Sequence, residues 1–289
     1  MRRLIINADD FGLTSGVNRA IVEAHGHGVV TSTTLMANAP AFSEAVQLAE
    51  ASPRLGVGCH VVLVDGAPVL NPSQVPSLVQ SRSQDGVQFR DGLGTFFLRA
   101  FCRRLRSDEI EAEVTAQIRR IQAAGLSVSH LDTHKHTHML PQVLGPLLRA
   151  ATICGIKALR NPFDLIQITQ LASRPVLWKR WLEVGVLRGL AGRFRRAVKE
   201  AGMLTPDGTL GIVATGALDA QLFRAIVERL PEGTWEFVCH PGYNDAQLQG
   251  VRTRLKESRM RELRVLTLPA TREVLAAGGI ALISYRDLV

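Results

Sequence analysis

Short apolar runs alternate with stretches of helical spacing along the chain, and several of the runs end at a charged residue or a histidine. Residues 4–8 read as a buried strand that stops at the acidic pair Asp9-Asp10. Val17, Ala20, Ile21 and Ala24 then recur at helical spacing until Gly26 and Gly28. Residues 33–37 predict a second strand, Pro40 opens a helix to about Ala51, and residues 55–62 predict a third strand carrying His60 near its end. The stripe Ile110, Val114, Ile118 and Ile121 marks a helix that starts at Ser107 or Asp108 and stops at Gly125. Residues 128–132 predict a strand, Pro141 opens a helix that Gly155 closes, and residues 156–160 predict a strand ended by Asn161-Pro162. Residues 210–214, 235–240 and 280–285 predict further strands, with helices near 218–230 and 269–277 between them.

Two segments depart from this rhythm. Residues 66–97 hold Pro68, Pro72 and Pro76, then Gly86, Gly92 and Gly94, with no sustained period. A long irregular stretch directly after His60 predicts a lid-like insertion, bounded at 64–106. In the second, 174–200, Trp178, Trp181, Leu182, Val186, Leu190 and Phe194 share one face and predict a basic amphipathic helix. Otherwise the alternation of strand and helix argues for one α/β domain, residues 1–289, with a parallel sheet.

The polar strand ends narrow the architecture. Asp9 and Asp10 end the first strand, His60 the third, Asp132 and His134 the fourth, Arg160 the fifth and His240 a late one. Five strands thus present chemistry at one C-terminal edge. A (β/α) barrel gathers such ends more readily than an open sheet, and builds its active sites there.

Composition changes this picture little. The chain has 289 residues, a formal charge of +8 and an apolar content of 46%, enough for one large core. Much of the basic excess lies in 174–199 and in 252–264, read as solvated helix faces. An anionic membrane surface is the alternative for that charge, and no nucleic-acid motif accompanies it. No apolar run is long enough to span a membrane, and the early Asp9-Asp10 argues against a leader, so a cytoplasmic protein is expected. Cys59, Cys102, Cys154 and Cys239 are scattered without a CxxC pair and are expected as buried, reduced thiols.

The candidate chemistry is that of a metal. Asp132-Thr133-His134-Lys135-His136-Thr137-His138 sets three histidines at alternate positions, and one carboxylate with two imidazoles suits Zn²⁺ with a position left open. Nickel, cobalt or iron could take the same donors, and magnesium could with added waters. Two adjacent aspartates can divide the work, one binding metal and the other accepting a proton from water. His130, alternating with Asp132, is expected to support it from behind.

At this point the residues resemble the YdjC-like carbohydrate deacetylases. The likeness rests on Asn7-Ala8-Asp9-Asp10-Phe11-Gly12 and Val30-Thr31-Ser32-Thr33-Thr34-Leu35-Met36, followed by Gly58-Cys59-His60-Val61-Val62-Leu63. His130-Leu131-Asp132-Thr133-His134, His138-Met139, Thr205-Pro206-Asp207 and His240-Pro241-Gly242 complete it in order. The resemblance implies a TIM-like barrel of seven strands and deacetylation of N-acetylated sugars. It implies Asp10, His60 and His134 as metal ligands, Asp9 as general base, His240 as general acid and Arg160 as orienter of the base. Asp132, His130 and His138 fall to supporting or substrate-facing roles. Pro241-Gly242-Tyr243 after His240 and Asn161-Pro162-Phe163 after Arg160 depart from the commonest forms.

The expected substrate is an N-acetylated sugar or a glycolipid, such as an N-acetylglucosaminyl hopanoid. Peripheral contact with the inner face of the membrane goes with the lipid, and a homodimer is a separate expectation. Hydrolysis of a phosphoester or cyclic amide is the first rival, since barrels host many chemistries. A non-catalytic sugar or lipid binder is the second.

Overall fold

The computed structural model describes the chain apart from residues 83–85, 91, 165–176, 179, 180, 182–184, 186 and 187. Its strands are β1 (Arg2–Phe11), β2 (Ser32–Leu35), β3 (Gly56–Val61), β4 (Val79–Arg82), β5 (Gly86–Phe89), β6 (Leu131–Thr133), β7 (Gly208–Leu210), β8 (Gly233–Cys239) and β9 (Ile280–Leu282). The helices that flank the first strands are α1 (Ser15–Gly26), α2 (Phe42–Glu50), α3 (Leu93–Phe101), α4 (Ser107–Ala123) and α5 (Pro141–Ile153).

Seven strands form one sheet in the order β6-β3-β2-β1-β8-β7, with β9 joined to the start of β1, and every pairing in it is parallel. The expected closed seven-strand barrel does not form. The ladder is open between β6 and β7, where only isolated bridges at Leu131–Leu159, Ala158–Leu204 and Asp164–Thr209 cross the gap. The segment 156–160, expected as a full strand, makes a single bridge on each side, to Leu131 and to Leu204. Beyond it Pro162 offers no N–H to extend the pairing, and the Asn161 side chain donates to the carbonyls of Pro206 and Asp207. The result is a parallel half-barrel.

The two-residue period of the strands sorts the sheet into two faces. From β1, Leu4, Ile6 and Ala8 join the main core, while Ile5 packs inside with Ala158 and Tyr285. Asn7 and Asp9 share the inner face with Ile5, since their side chains bond each other and Asn7 meets His130. On β3, Val57, Cys59 and Val61 face the main core, while His60 faces Asp132 across the interior. On β8, Trp235, Phe237 and Cys239 face the main core and Glu236 turns inward to Arg160. The apolar face is therefore spent on the helices, and the interior of the half-barrel is polar.

The segment 64–106 is more regular than expected. It holds the antiparallel hairpin β4-β5 and helix α3, and Val75, Leu78, Phe89 and Phe96 are buried. Its strands are only four residues long, too short to leave a periodic signal. Helix Ala191–Glu200 covers the last part of the predicted basic helix and buries Phe194. Lys179, Arg180, Leu182 and Val186 lie outside the described residues. Three of the cysteines are buried and free as expected, but Cys102, at the end of α3, is exposed. No helix among the described residues is long and apolar enough to cross a membrane.

Gly58 shows how tightly the interior is filled. A Cβ there would lie 2.5 Å from His130 Cε1 and 2.6 Å from Nδ1, and that ring is stacked on Tyr285 at 3.6 Å. Gly58→Ala is expected to destabilise the fold by about 1–3 kcal/mol through overpacking. Gly94→Ala, in α3 with nothing within 4 Å, should not. Thermal melts of the two variants check this, and equal melting temperatures would show that the ring gives way freely.

Candidate metal centre

Two adjacent aspartates can serve one site only if the strand stops being a strand between them. β1 does this: Asp10 adopts φ +70°, and the register with β2 shifts between Ala8 and Phe11. Asp9 keeps the inward direction set by the pleat, and Asp10 is turned towards the same side. Both are buried.

Asp10 Oδ1 lies 3.4 Å from His60 Nε2 and 3.4 Å from His134 Nδ1, and the two imidazole nitrogens are 3.3 Å apart. Donors bound to one tetrahedral ion at about 2.1 Å would be about 3.4 Å from one another. The triangle therefore fits a single metal, and its carboxylate and two imidazoles suit zinc or a neighbouring transition ion. His60 turns its other nitrogen to Asp132 at 2.7 Å, which fixes the ring with Nε2 towards the triangle. Burial alone would lower the His60 pKa, but Asp132, Asp10 and Asp9 push it up to about 10, so these surroundings favour a positive charge.

The loop after β6 brings in His134 with unusual backbone. Lys135 and His136 are both left-handed, at φ +56° and +54°. This turn sends Lys135 outward to an ion pair with Asp65, so its charge does not enter the centre. His136 is not part of the triangle, and its ring lies 6.4 Å from that of His138. His138 is buried, with Nδ1 2.7 Å from Thr133 Oγ1, and is likewise not part of the triangle.

Arg160 organises the other aspartate. Its Nη1 and Nη2 donate to the two oxygens of Asp9 at 2.8 and 2.6 Å, Nη1 reaches Asp132 at 2.5 Å, and Nε donates to Glu236 at 2.8 Å. Asp9, His60 and Asp132 also sit close enough to suggest a second metal group, but the guanidinium already supplies the cation between its two carboxylates. Burial alone would raise the Asp9 carboxyl, yet Arg160 holds it far below the usual carboxylate range, so it stays ionised. His240 Nε2 is 3.8 Å from Asp9 Oδ2, and the His240 backbone N–H donates to Glu262 at 2.6 Å.

Sequence reasoning misses several of these contacts. His130 makes no hydrogen bond to Asp132. It reaches Asn7 at 3.2 Å, and Asn7 donates to Asp9, so its support goes to the other aspartate. Glu236, Tyr285, Glu262 and Arg259 are all buried around the centre. Arg259 belongs to the segment 252–264 expected as a solvated face, but it is 1% exposed and its Nη2 lies 2.5 Å from Asp10 Oδ2. A carboxylate inside an otherwise apolar strand run is a readable signal for Glu236. Arg259 carries a weaker one, lying four residues after Leu255 and four before Leu263, both buried.

The profile of the YdjC-like protein family matches residues 3–277. The chain belongs to the YdjC-like family. It is 33% identical over 287 residues to a carbohydrate deacetylase of Geobacillus stearothermophilus, covering 99% of this chain and 98% of that one. It is also 33% identical over 291 residues to a chitooligosaccharide deacetylase of Salmonella paratyphi B, covering 99% of each. Among solved structures, a candidate cellobiose-phosphate cleavage protein from Enterococcus faecalis superposes with a TM-score of 0.79 at 30% identity, covering 100% of this YdjC-like chain and 99% of the other. A lactam utilization protein from Thermus thermophilus, at 15% identity and a TM-score of 0.52, covers 98% of this chain and 99% of its own, and shares the fold.

Glu236 gives the site a readable pH signature. Burial raises its pKa from 4.5 to about 7, against the pull of Arg160 and the Tyr285 hydroxyl. A folded pKa above the unfolded one means that its stabilising contribution is complete below about pH 4.5 and is lost as pH rises through about 7. Glu236→Gln cannot titrate, so its stability relative to the parent should improve steadily over that interval. Denaturant unfolding at pH 5, 6, 7 and 8 checks this, and a difference that stays flat with pH would mean that Glu236 titrates normally.

Proposed function

We propose that the chain hydrolyses the acetamide of an N-acetylated amino sugar, with Asp10, His60 and His134 as metal ligands, Asp9 as general base and His240 as general acid. The observation that carries this reading is the juxtaposition of the Asp10–His60–His134 triangle with an ionised Asp9 and with His240 at the same sheet edge. The names of the relatives, carbohydrate and chitooligosaccharide deacetylase, support the substrate class.

A divalent ion bound to these donors, zinc by their chemistry, would polarise the acyl carbonyl and acidify the attacking water. The rest falls to the chain's own groups. Asp9 accepts the proton from water, and the two bonds from Arg160 keep its carboxylate from rotating. That pairing lowers the basicity of Asp9 while fixing its direction. Asp132 holds His60 in one orientation. His240, across Asp9 from Arg160, protonates the departing amine, which is too poor a leaving group as an anion. The products are acetate and a free amino sugar.

The insertion 64–106 enters from the end of β3, and the Asp65–Lys135 ion pair ties it to the loop that carries His134. We assign it the role of a lid over the sugar. For the substrate itself, soluble oligosaccharides have the better support.

The test is acetate release after metal reconstitution, across N-acetylglucosamine oligomers and an N-acetylglucosaminyl lipid in anionic vesicles. Release from oligomers is the expected result, and release from the lipid alone would move the substrate to glycolipids and put the enzyme at a membrane surface. Release from neither, with turnover of a phosphoester or cyclic amide, would overturn the deacetylase reading.

Two variants separate the roles. His134→Ala should lose metal, seen by elemental analysis, together with activity. Asp9→Asn should keep metal while turnover falls by about a hundredfold or more. Equal metal loss in Asp9→Asn and Asp10→Asn would reverse the two assignments.

A further inference from the structure

Asp10 has two carboxylate oxygens, and the structure treats them differently. Oδ1 faces both imidazole nitrogens at 3.4 Å, whereas Oδ2 accepts from Arg259 Nη2 at 2.5 Å. Arg259 comes from helix Glu257–Thr267, far along the chain from β1, and its side chain is buried. Its Nε donates to the Leu255 carbonyl at 3.1 Å, which fixes the guanidinium plane. The path of the side chain depends on Gly242, because a Cβ there would lie 2.8 Å from Arg259 Cδ and 3.2 Å from its Cβ. The glycine after His240-Pro241 therefore admits the arginine that reaches Asp10.

A carboxylate beside a divalent ion can bind through one oxygen or through both. Two-oxygen binding by Asp10 would occupy coordination space that a hydrolytic centre must leave for its reactants. A guanidinium fixed on Oδ2 prevents this. We propose that Arg259 is a positioning residue that restricts Asp10 to one-oxygen coordination and so keeps the metal centre open. The proposal rests on the metal-centre reading above, and concerns how the centre is kept reactive rather than which residues compose it.

Cobalt(II) is the probe, since its visible bands are intense in four-coordinate sites and weaken as coordination number rises. The protein loaded with Co²⁺ should show the intense bands. Arg259→Met should bind Co²⁺ with clearly weaker bands, and with zinc its kcat should fall by about 10–100-fold, the usual effect of removing a ligand's outer partner. Arg259→Lys, which keeps one cationic donor, should recover most of the band intensity. Wild-type bands in a folded Arg259→Met would overturn the role of Arg259 and leave the metal centre standing. Weak bands in a parent protein that holds Co²⁺ by elemental analysis would overturn the role of Arg259, and a parent that binds no Co²⁺ would overturn both. If Arg259→Met does not fold, Gly242→Ala displaces the same side chain without removing its charge. Weakened bands in that variant support the proposal, and unchanged bands refute it.

Discussion

The structure depends on one buried guanidinium. Arg160 is fully enclosed and contacts Asp9, Asp132 and Glu236, carboxylates from three different strands or strand ends. Removing one partner of such a buried pair typically costs about 3–5 kcal/mol, because the remaining charges are left uncompensated. Here the anions outnumber their cation. Together with Asp10 there are four carboxylates facing two guanidinium groups, Arg160 and Arg259. The deficit makes the surroundings of His60 favour positive charge, and a divalent ion suits the neighbouring triangle for the same reason. The polar interior and the candidate metal centre are thus one electrostatic arrangement.

What could be read from the chain follows from the same physics. The ends of β1 and β8 were legible because largely apolar runs stop at Asp9 and His240, while His60 and Asp132 stood out as polar residues near the ends of their strands. Their convergence at one edge followed from parallel order. The open barrel was not legible, since the segment 156–160 reads as a strand by its apolar content yet joins its neighbours only through single bridges at Leu131 and Leu204. Arg259 was hidden for a different reason. It lies in a run of basic residues whose other arginines, such as Arg252, Arg261 and Arg264, are exposed, and their charge masks its place between the buried Leu255 and Leu263. Tyr285 and Glu262 reach the centre from the last part of the chain, where no local pattern connects them to β1.

Backbone strain is concentrated where the chemistry is proposed. Five non-glycine residues among those described have positive φ, and four of them are Asp10, Asp65, Lys135 and His136. Such conformations persist only where the surroundings over-determine them. Asp10 is held by Arg259, and the Lys135-His136 turn is held by the Asp65 ion pair on one side and by buried Thr137 and His138 on the other. The two aspartates, though adjacent in sequence, are thereby given distinct partners.

The stacking of Tyr285 on His130, and its bond to Glu236, bear on how the protein is made. During translation β1 leaves the ribosome first, yet its inner face is completed by β8, β9 and Tyr285, which lie at the far end of the chain. Asp9, His60 and Asp132 must therefore wait in hydrated form, because drying them before Glu236 and Tyr285 arrive would bury charge without its full set of partners. Contacts of such long range slow folding and leave early strands exposed. The nascent chain should consequently remain open at its centre until β8 and Tyr285 have emerged, and acquire its polar interior in one cooperative step.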